Sequence, residues 1–150
     1  MLPIFVAQMK TTESTYSRCI YFVSNALARK TEKLALDAWK PAGLSPSHAY
    51  LLMLVLGEPG IQPGALSEEL HLTPSTITRL LEKLEEKKLV VRTTEGKTTN
   101  VYPTPKAKEM HPLLKECVKT FYEAYSAVLS EEESTRLVDS MGKIADKLGR

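Results

Sequence analysis

The sequence predicts a mainly helical α+β fold, a winged helix-turn-helix flanked by further helices at both ends. Two observations carry this prediction. Residues 62–84 contain two short amphipathic helical patterns separated by only two or three residues, which is the spacing of a helix-turn-helix. Residues 89–102 then contain two β-branched segments around a glycine turn, and a hairpin in that position would form the wing.

The two helices of the predicted helix-turn-helix are marked by their starting residues. The first begins at Pro63, because a first helical position tolerates the missing N–H. Leu66 and Leu70 follow at helical spacing and form an apolar stripe. The second helix is marked by Thr73, whose hydroxyl can cap it, and by Pro74, which presets the backbone.

The second helix separates its apolar residues from its short polar ones. One face carries the apolar residues Ile77, Leu80, Leu81 and Leu84, and hydroxyl and basic side chains occupy the others. Hydroxyls allow close approach to a DNA groove and bond to phosphates or base edges, and an arginine can bond to guanine through two N–H groups. An ordinary helical hairpin with a solvated polar face is the alternative. The candidate DNA contacts on this helix and its cap are Thr73, Ser75, Thr76, Thr78, Arg79 and Lys83.

The segment after this helix strengthens the DNA-binding interpretation. Residues 89–93 and 98–102 predict two strands, joined by a turn that contains the permissive Gly96. Between Pro74 and Lys108, eight Lys and Arg stand against four Asp and Glu, an excess larger than the whole chain's net charge of +2. Such an excess suits phosphate neutralisation. Arg92 and Lys97 are therefore further candidate DNA contacts, with a solvated charged surface as the alternative.

At this point the chain resembles the MarR family of bacterial winged-helix regulators. ELHLTPSTITRLLEKLEEKKLVVR resembles the family's recognition-helix block, and VYPTPKAKE resembles the segment after its wing. The resemblance covers most of the chain and implies a homodimer that binds a short palindromic operator in double-stranded DNA, usually as a repressor. The family's Asp-Arg-Arg at the wing is replaced here by Glu95-Gly96-Lys97. Pro103 stands where leucine is usual, and Ala107 stands where glycine is usual.

Long amphipathic segments flank the winged helix. We expect one helix from about Glu13 to Trp39, another from Thr104-Pro105 to about Leu129, and a last one that opens with a capping box at Ser130. A small winged helix needs only about three helices, so the surplus apolar faces require cover. We expect a single 150-residue domain, with dimerisation helices at 1–40 and 105–150 around a winged helix at 45–104. Packing within one chain is the alternative.

The family resemblance also implies a small aromatic or phenolic effector, bound between the dimerisation helices and the winged helix. Trp39, His48 and Tyr50 are the candidates to line such a cleft, since they combine apolar surface with polar groups. Core packing of each is the alternative interpretation.

The two cysteines, Cys19 and Cys117, are predicted on helices among apolar residues. They form no disulfide framework, which suggests a reducing cytosol. The first interpretation is that each is a small buried hydrophobic residue. A sharper alternative concerns Cys19, because CIYFVSNALAR resembles the region where peroxide-sensing members of the family carry a reactive cysteine. That resemblance implies an oxidant-sensing regulator.

Other functional classes find little support in the sequence. No stretch of eighteen apolar residues predicts a membrane span, and the short opening MLPIFVAQMK is taken as an N-terminal extension rather than a signal peptide. His48, His71 and His111 have no partners at metal-ligand spacing. No nucleophile elbow, P-loop or dinucleotide fingerprint occurs, so neither an enzyme nor a cofactor is expected. The expectation is a cytoplasmic, dimeric, sequence-specific DNA-binding regulator, and a winged helix used only for protein contacts is the remaining alternative.

Overall fold

Helix starts in this protein are set by proline after a polar residue. In the structure, a computed structural model that describes residues 8–149, Ser45, Thr73 and Thr104 are N-caps followed by proline. The side-chain oxygen of each accepts a bond from a backbone N–H three residues on, which satisfies one unpaired donor of the first turn. The elements are α1 (Ile20–Trp39), α2 (Pro46–Gly57), α3 (Pro63–Leu70), α4 (Pro74–Glu86), β1 (Val90–Glu95), β2 (Thr98–Pro103), α5 (Pro105–Ser126) and α6 (Glu131–Leu148).

The two strands form the predicted hairpin. They pair antiparallel, with Val90 opposite Pro103 and a turn at Gly96, whose φ of 65° lies in the left-handed region. Both strands extend slightly beyond the predicted ends. Ile61, which follows α2, forms a bridge to Val101, so the hairpin is attached to the helices. The mainly helical fold with a two-stranded wing is therefore confirmed.

The core lies between α2, α3, α4, the hairpin and the first part of α5. Trp39 at the end of α1 and Leu114 of α5 are also buried in this core. Helix α6 contributes little, because Ser134 is its one buried residue in the described chain. Its apolar side chains remain exposed in the single chain. The fully buried large side chains of the core include Trp39, Leu51, Leu52, Val55, Leu66, Ile77, Leu81, Leu84, Leu89, Val90, Val101 and Leu114.

The start of α1 differs from the prediction. The helix begins at Ile20 rather than near Glu13, and the residues between form tight turns. The hydroxyl of Ser14 accepts a bond from the Tyr16 N–H at 3.1 Å, and the Cys19 N–H donates to the Tyr16 carbonyl at 2.9 Å. Such local bonds offer the backbone an alternative to a helix. Helical periodicity alone did not reveal this competition.

In the part of the chain that the structure describes, no helix is both long enough and apolar enough to cross a membrane. Over the same residues, no group of three or more His, Cys, Asp and Glu side chains is placed to hold a metal ion.

We predict that Leu52→Ala lowers the free energy of unfolding by about 2–5 kcal/mol, because it removes buried apolar surface and leaves a cavity in the core beside α2. Urea denaturation at a fixed protein concentration measures the change, since any association also contributes to stability. Val128→Ala is the control, because Val128 is 82% exposed, and it should change stability by less than about 0.5 kcal/mol. Equal effects of the two substitutions would contradict the core placement.

Candidate nucleic-acid interface

The turn between α3 and α4 is held by hydrogen bonds that could not be predicted from the sequence. His71 ends α3 in the left-handed region, with φ of 52°. The Ser67 hydroxyl donates to the Leu72 carbonyl, and the Leu72 N–H donates to the Ser67 carbonyl at 3.2 Å. Three residues therefore suffice to reverse the chain and deliver Thr73 as the cap of α4. The predicted helix-turn-helix is present, and the angle at which α4 leaves it is fixed locally.

Four hydroxyl side chains surround the start of α4. The Thr73 oxygen accepts from the Thr76 N–H at 3.4 Å and lies 3.2 Å from the Ser75 hydroxyl oxygen and 3.0 Å from that of Thr76. The Thr78 hydroxyl donates to the Pro74 carbonyl at 3.0 Å. Thr73 is thus a structural cap first. Ser75 and Thr78 are exposed and keep acceptor lone pairs towards solvent, together with the Thr78 methyl group.

One face of α4 is open to a partner. Ser75, Thr78 and Arg79 are exposed at spacings that place them on the same side of the helix, opposite the buried Ile77 and Leu81. Within residues 8–149, Arg79 forms no ion pair within 4 Å. Its guanidinium therefore reaches solvent with its donors available. This face combines short hydroxyls with one forked cation, which is suited to reading base edges.

Two of the predicted basic residues are paired within the protein. Arg92 on β1 forms a salt bridge with Glu85 on α4, and Lys83 pairs with Glu86 at 3.3 Å. The Arg92–Glu85 pair joins the hairpin to α4. The sequence could not show it, because a helix and the following strand have no fixed register. Lys97 at the wing turn is exposed.

A second basic group lies at the far end of α4, around the left-handed Lys88, with φ of 59°. The Lys106 ammonium donates to the Lys87 carbonyl at 3.0 Å, and the Thr104 hydroxyl donates to the Lys88 carbonyl at 2.7 Å. These bonds satisfy carbonyls at the helix end and connect it to α5. His48 on α2 is affected by positive charge from α4. Burial lowers the pKa of its imidazole, and the positive charges of Lys87 and Lys83 lower that pKa further.

The three candidate effector residues occupy different surroundings. Trp39 is fully buried and packs edge-on against Tyr50, with ring centroids 5.6 Å apart. Its indole N–H has no hydrogen-bond partner in the described chain. His48 contacts its own helix cap through Ser45, and Tyr50 is partly exposed. The structure thus brings Trp39 and Tyr50 together within the packed layer between α1 and α2.

A cleft of about 460 Å³ lies nearby, between α1, α2 and α5, and sequence reasoning did not identify its lining. Thr31 and Glu32 of α1 and Ser45 at the start of α2 supply its polar groups, and Leu36 and Phe121 supply apolar surface. None of the three candidate effector residues is among its described lining residues. These positions are far apart in sequence, so only the packing of three helices reveals the cleft.

The two cysteines differ. Cys117 is buried in α5, and burial raises the pKa of its thiol, so its interpretation as a small hydrophobic residue is confirmed. For Cys19 the same interpretation is wrong. Cys19 is exposed, and it is the extended N-cap of α1 rather than a residue within the helix. The early turns around Ser14 and Tyr16 explain the difference, because they delay the start of the helix.

Comparisons with known proteins agree with this geometry. A model of the MarR family matches residues 42–98, which include the helix-turn-helix, β1 and the turn of the wing. The HTH-type transcriptional regulator SarZ of Staphylococcus epidermidis is 24% identical over 142 residues, which cover 93% of this chain and 95% of SarZ.

Solved structures show the same fold. The transcriptional repressor CouR bound to a 23-mer DNA duplex matches with a TM-score of 0.80 and 19% identity, over 93% of this chain and 99% of that one. CouR from Rhodococcus jostii bound to p-coumaroyl-CoA matches with a TM-score of 0.74 and 22% identity, over 88% of this chain and 95% of that one. These matches confirm the fold.

We predict that His48 makes the stability of the protein depend on pH. Its pKa is lowered from 6.5 in the folded state, so between the lowered value and 6.5 the unfolded chain binds more protons. Stability therefore rises with pH through this window and is lost as the solution is acidified through it. Urea midpoints between about pH 5 and 7.5 measure the slope, and His48→Gln should flatten it. His111→Gln, which removes a histidine elsewhere, should leave the His48 contribution in place. An unchanged slope in His48→Gln would refute this assignment.

Proposed function

Since the winged helix of this chain belongs to the MarR family of transcriptional regulators, we propose that the chain is a homodimeric, sequence-specific DNA-binding repressor that a small-molecule effector releases. The observation that carries the proposal is the exposed face of α4. Its core residues are fully buried, and its opposite side presents Ser75, Thr78 and Arg79 to solvent. CouR, which shares this fold, was solved on a DNA duplex.

The candidate DNA contacts form two groups, according to whether the side chain is already paired in the free protein. Ser75, Thr78 and Arg79 are available and are assigned to base edges, with Thr76 near the groove wall. Lys97 is exposed at the wing turn and is assigned to a phosphate. Thr73 acts through its cap, since it fixes the helix end whose N–H groups favour an anion.

Lys83 and Arg92 are assigned a different role, because each already has a carboxylate partner. A phosphate would have to replace Glu86 or Glu85 before these cations contribute a new interaction. The Arg92–Glu85 pair is better suited to holding the wing at a defined angle to α4. Such positioning matters because recognition requires the helix and the wing to reach the duplex together.

The proposed dimer interface is the apolar surface formed by α1, α5 and α6. A cleft of about 400 Å³ there is lined by Leu27, Leu34, Phe121, Tyr125 and Val138, among others. Exposed apolar surface of this kind marks an interaction site. In a two-fold dimer, a second copy of the chain would cover this surface and have its own equivalent surface covered. The proposal assigns 1–40 and 105–150 to dimerisation and 45–104 to DNA binding, and residues 1–7 lie outside the described chain. Two recognition helices related by a two-fold axis would read half-sites roughly 34–36 Å apart.

The proposed effector site is the 460 Å³ cleft between α1, α2 and α5. It joins the helices assigned to dimerisation to the first helix of the winged unit, and CouR was solved with p-coumaroyl-CoA. Thr31 and Ser45 offer hydroxyls there, and Phe121 offers an aromatic surface. Trp39 and Tyr50 would form the packed layer behind the cleft, and His48 would stand at the cap beside Ser45. A ligand that binds one orientation of α2 more tightly would shift the separation of the two recognition helices.

A thiol switch at Cys19 is the second candidate, and one observation favours it. The Cys19 side chain is exposed at the start of α1, a helix assigned to the dimer interface, so an oxidant can reach it. A bulky oxidised thiol at that position would alter how two copies pack. This mechanism would regulate the same DNA-binding protein by another signal.

We predict that Arg79→Ala weakens specific DNA binding by about 1–3 kcal/mol, because it removes a cation that bonds to base edges. Fluorescence anisotropy with the DNA upstream of the chain's own gene, repeated at several salt concentrations and with unrelated DNA, measures the loss and its sequence dependence. Arg136→Ala on α6 is the matched control and should leave both affinities unchanged, since Arg136 pairs with Glu132 away from α4.

An operator affinity that is the same in Arg79→Ala and in the unmodified protein would rule out the assignment of Arg79. If the unmodified protein binds neither DNA even at low salt, a winged helix used for protein contacts becomes the better reading.

We predict that Val138→Asp converts the dimer to a monomer. Val138 is 62% exposed in the single chain, so the fold should persist, whereas a dimer would bury the new charge without a partner. An unpaired buried charge costs about 3–5 kcal/mol, so the dimer dissociation constant should rise by roughly 100-fold or more. Analytical ultracentrifugation measures the oligomeric state, and far-UV circular dichroism checks the fold. Val91→Asp on β1 is the control and should remain dimeric. A stable Val138→Asp dimer would place the interface elsewhere.

A further inference from the structure

A basic cleft lies on the side of α1 that the proposed function does not use. Its volume is about 550 Å³, and it forms where the residues before α1 pack against that helix. Lys10, Arg29, Lys30 and Lys33 line it, and its described lining contains no Asp or Glu. Four cations therefore border one cavity that lies outside the DNA-binding face of α4.

These cations have no ion-pair partner in the part of the chain that the structure describes. Within residues 8–149, every ion pair within 4 Å involves other residues. Glu13, the acid nearest to Lys10 in sequence, uses its carboxylate to accept the Lys10 backbone N–H at 2.8 Å. Glu32 is next to Lys33 in sequence but lines the cleft between α1, α2 and α5 instead. Asp37 lies one turn beyond Lys33 but is not part of the described lining. Arg29 and Lys33 are four residues apart on a helix, where like charges repel. An anion bound between them would relieve that repulsion.

The remaining lining adds a second type of contact. Phe22 and Ala26 form an apolar floor, and the Phe22 ring lies 6.0 Å from that of Tyr16. Thr11 and Ser14 place hydroxyl-bearing residues at the other wall. Arginine binds phosphate through two parallel N–H bonds, lysine binds it as a point charge, and an aromatic ring can stack on a base. The combination suits a ligand that has both phosphates and a flat organic part.

The cleft is separate from the other surfaces of α1. At 100° per residue, Phe22, Arg29 and Lys33 fall within about 40° of one another around the helix axis. Leu27 and Leu34, which line the apolar cleft assigned to the dimer, fall about 100–160° away from these three residues. Lys30 lies between the two groups, at the rim of the basic cleft. A ligand in the basic cleft would therefore leave the proposed interface uncovered.

We propose that this cleft binds a small phosphorylated ligand of the nucleotide type. Arg29 and Lys33 hold the phosphates, Lys10 and Lys30 add positive charge at the rim, and Phe22 supports the planar part. The cleft lies on the same helix as the proposed dimer surface, and ligand binding to it does not depend on DNA binding.

Isothermal titration of the full chain with ADP, pyrophosphate and adenosine as probes tests the proposal. We expect saturable binding of ADP with a Kd of about 1 mM or tighter, weaker binding of pyrophosphate, and no measurable binding of adenosine. The double variant Arg29→Gln with Lys33→Gln should weaken ADP binding at least about tenfold. Phe22→Leu should weaken ADP binding but not pyrophosphate binding.

The control is Lys108→Gln with Lys115→Gln, which removes the same charge from exposed positions on α5 and should bind ADP like the unmodified protein. Thermal melts of each variant check that it is folded. The proposal is overturned if neither phosphate probe binds saturably, if adenosine binds as well as ADP, or if the control loses as much affinity as the cleft variant. It is also overturned if Arg79→Ala abolishes ADP binding, because the anion would then occupy the DNA-binding face.

Discussion

The burial of one side of α4 is the constraint on which the rest of the structure depends. Ile77, Leu81 and Leu84 are fully or almost fully buried against α2 and the hairpin, and they fix the rotation of the helix about its axis. One position along a helix corresponds to about 100°. A slip by one residue would turn Thr78 into the core and Ile77 out of it. The exposure of Arg79 is therefore a consequence of core packing, not an independent feature of the surface.

Local signals explain why much of this could be predicted from the sequence. Helix starts at Thr73, Thr104 and Ser130 depend on a cap within the first turn, and apolar periodicity identifies the buried faces. What could not be predicted depends on competition or on tertiary packing. The start of α1 was displaced by turn bonds around Ser14, and the cleft between α1, α2 and α5 exists only after three helices pack.

The roles of the basic residues were harder to predict from the sequence than the helices were. Counting basic residues treats Lys83, Arg92, Arg79 and Lys97 alike, yet the first two hold carboxylate partners and the last two hold none within the described chain. A paired cation contributes to DNA binding only by exchanging one anion for another. The salt dependence of binding should therefore reflect fewer phosphate contacts than the basic excess suggests. The Arg92–Glu85 pair also gives the wing a mechanical connection to α4 that counting cannot reveal.

In the proposed function, α2 connects the effector cleft to the exposed face of α4. Leu51, Leu52 and Val55 of α2 pack in the same core as the buried side of α4, whereas the start of α2 borders the cleft shared with α1 and α5. Because the core is close-packed, a tilt of α2 would carry α4 with it rather than be absorbed between them. A ligand changes the spacing of two recognition helices only if it binds one orientation of α2 more tightly. In the proposed function, the discriminating contacts lie where the cleft joins α2 to α1, at Ser45 and Thr31, and not within the unit assigned to DNA binding.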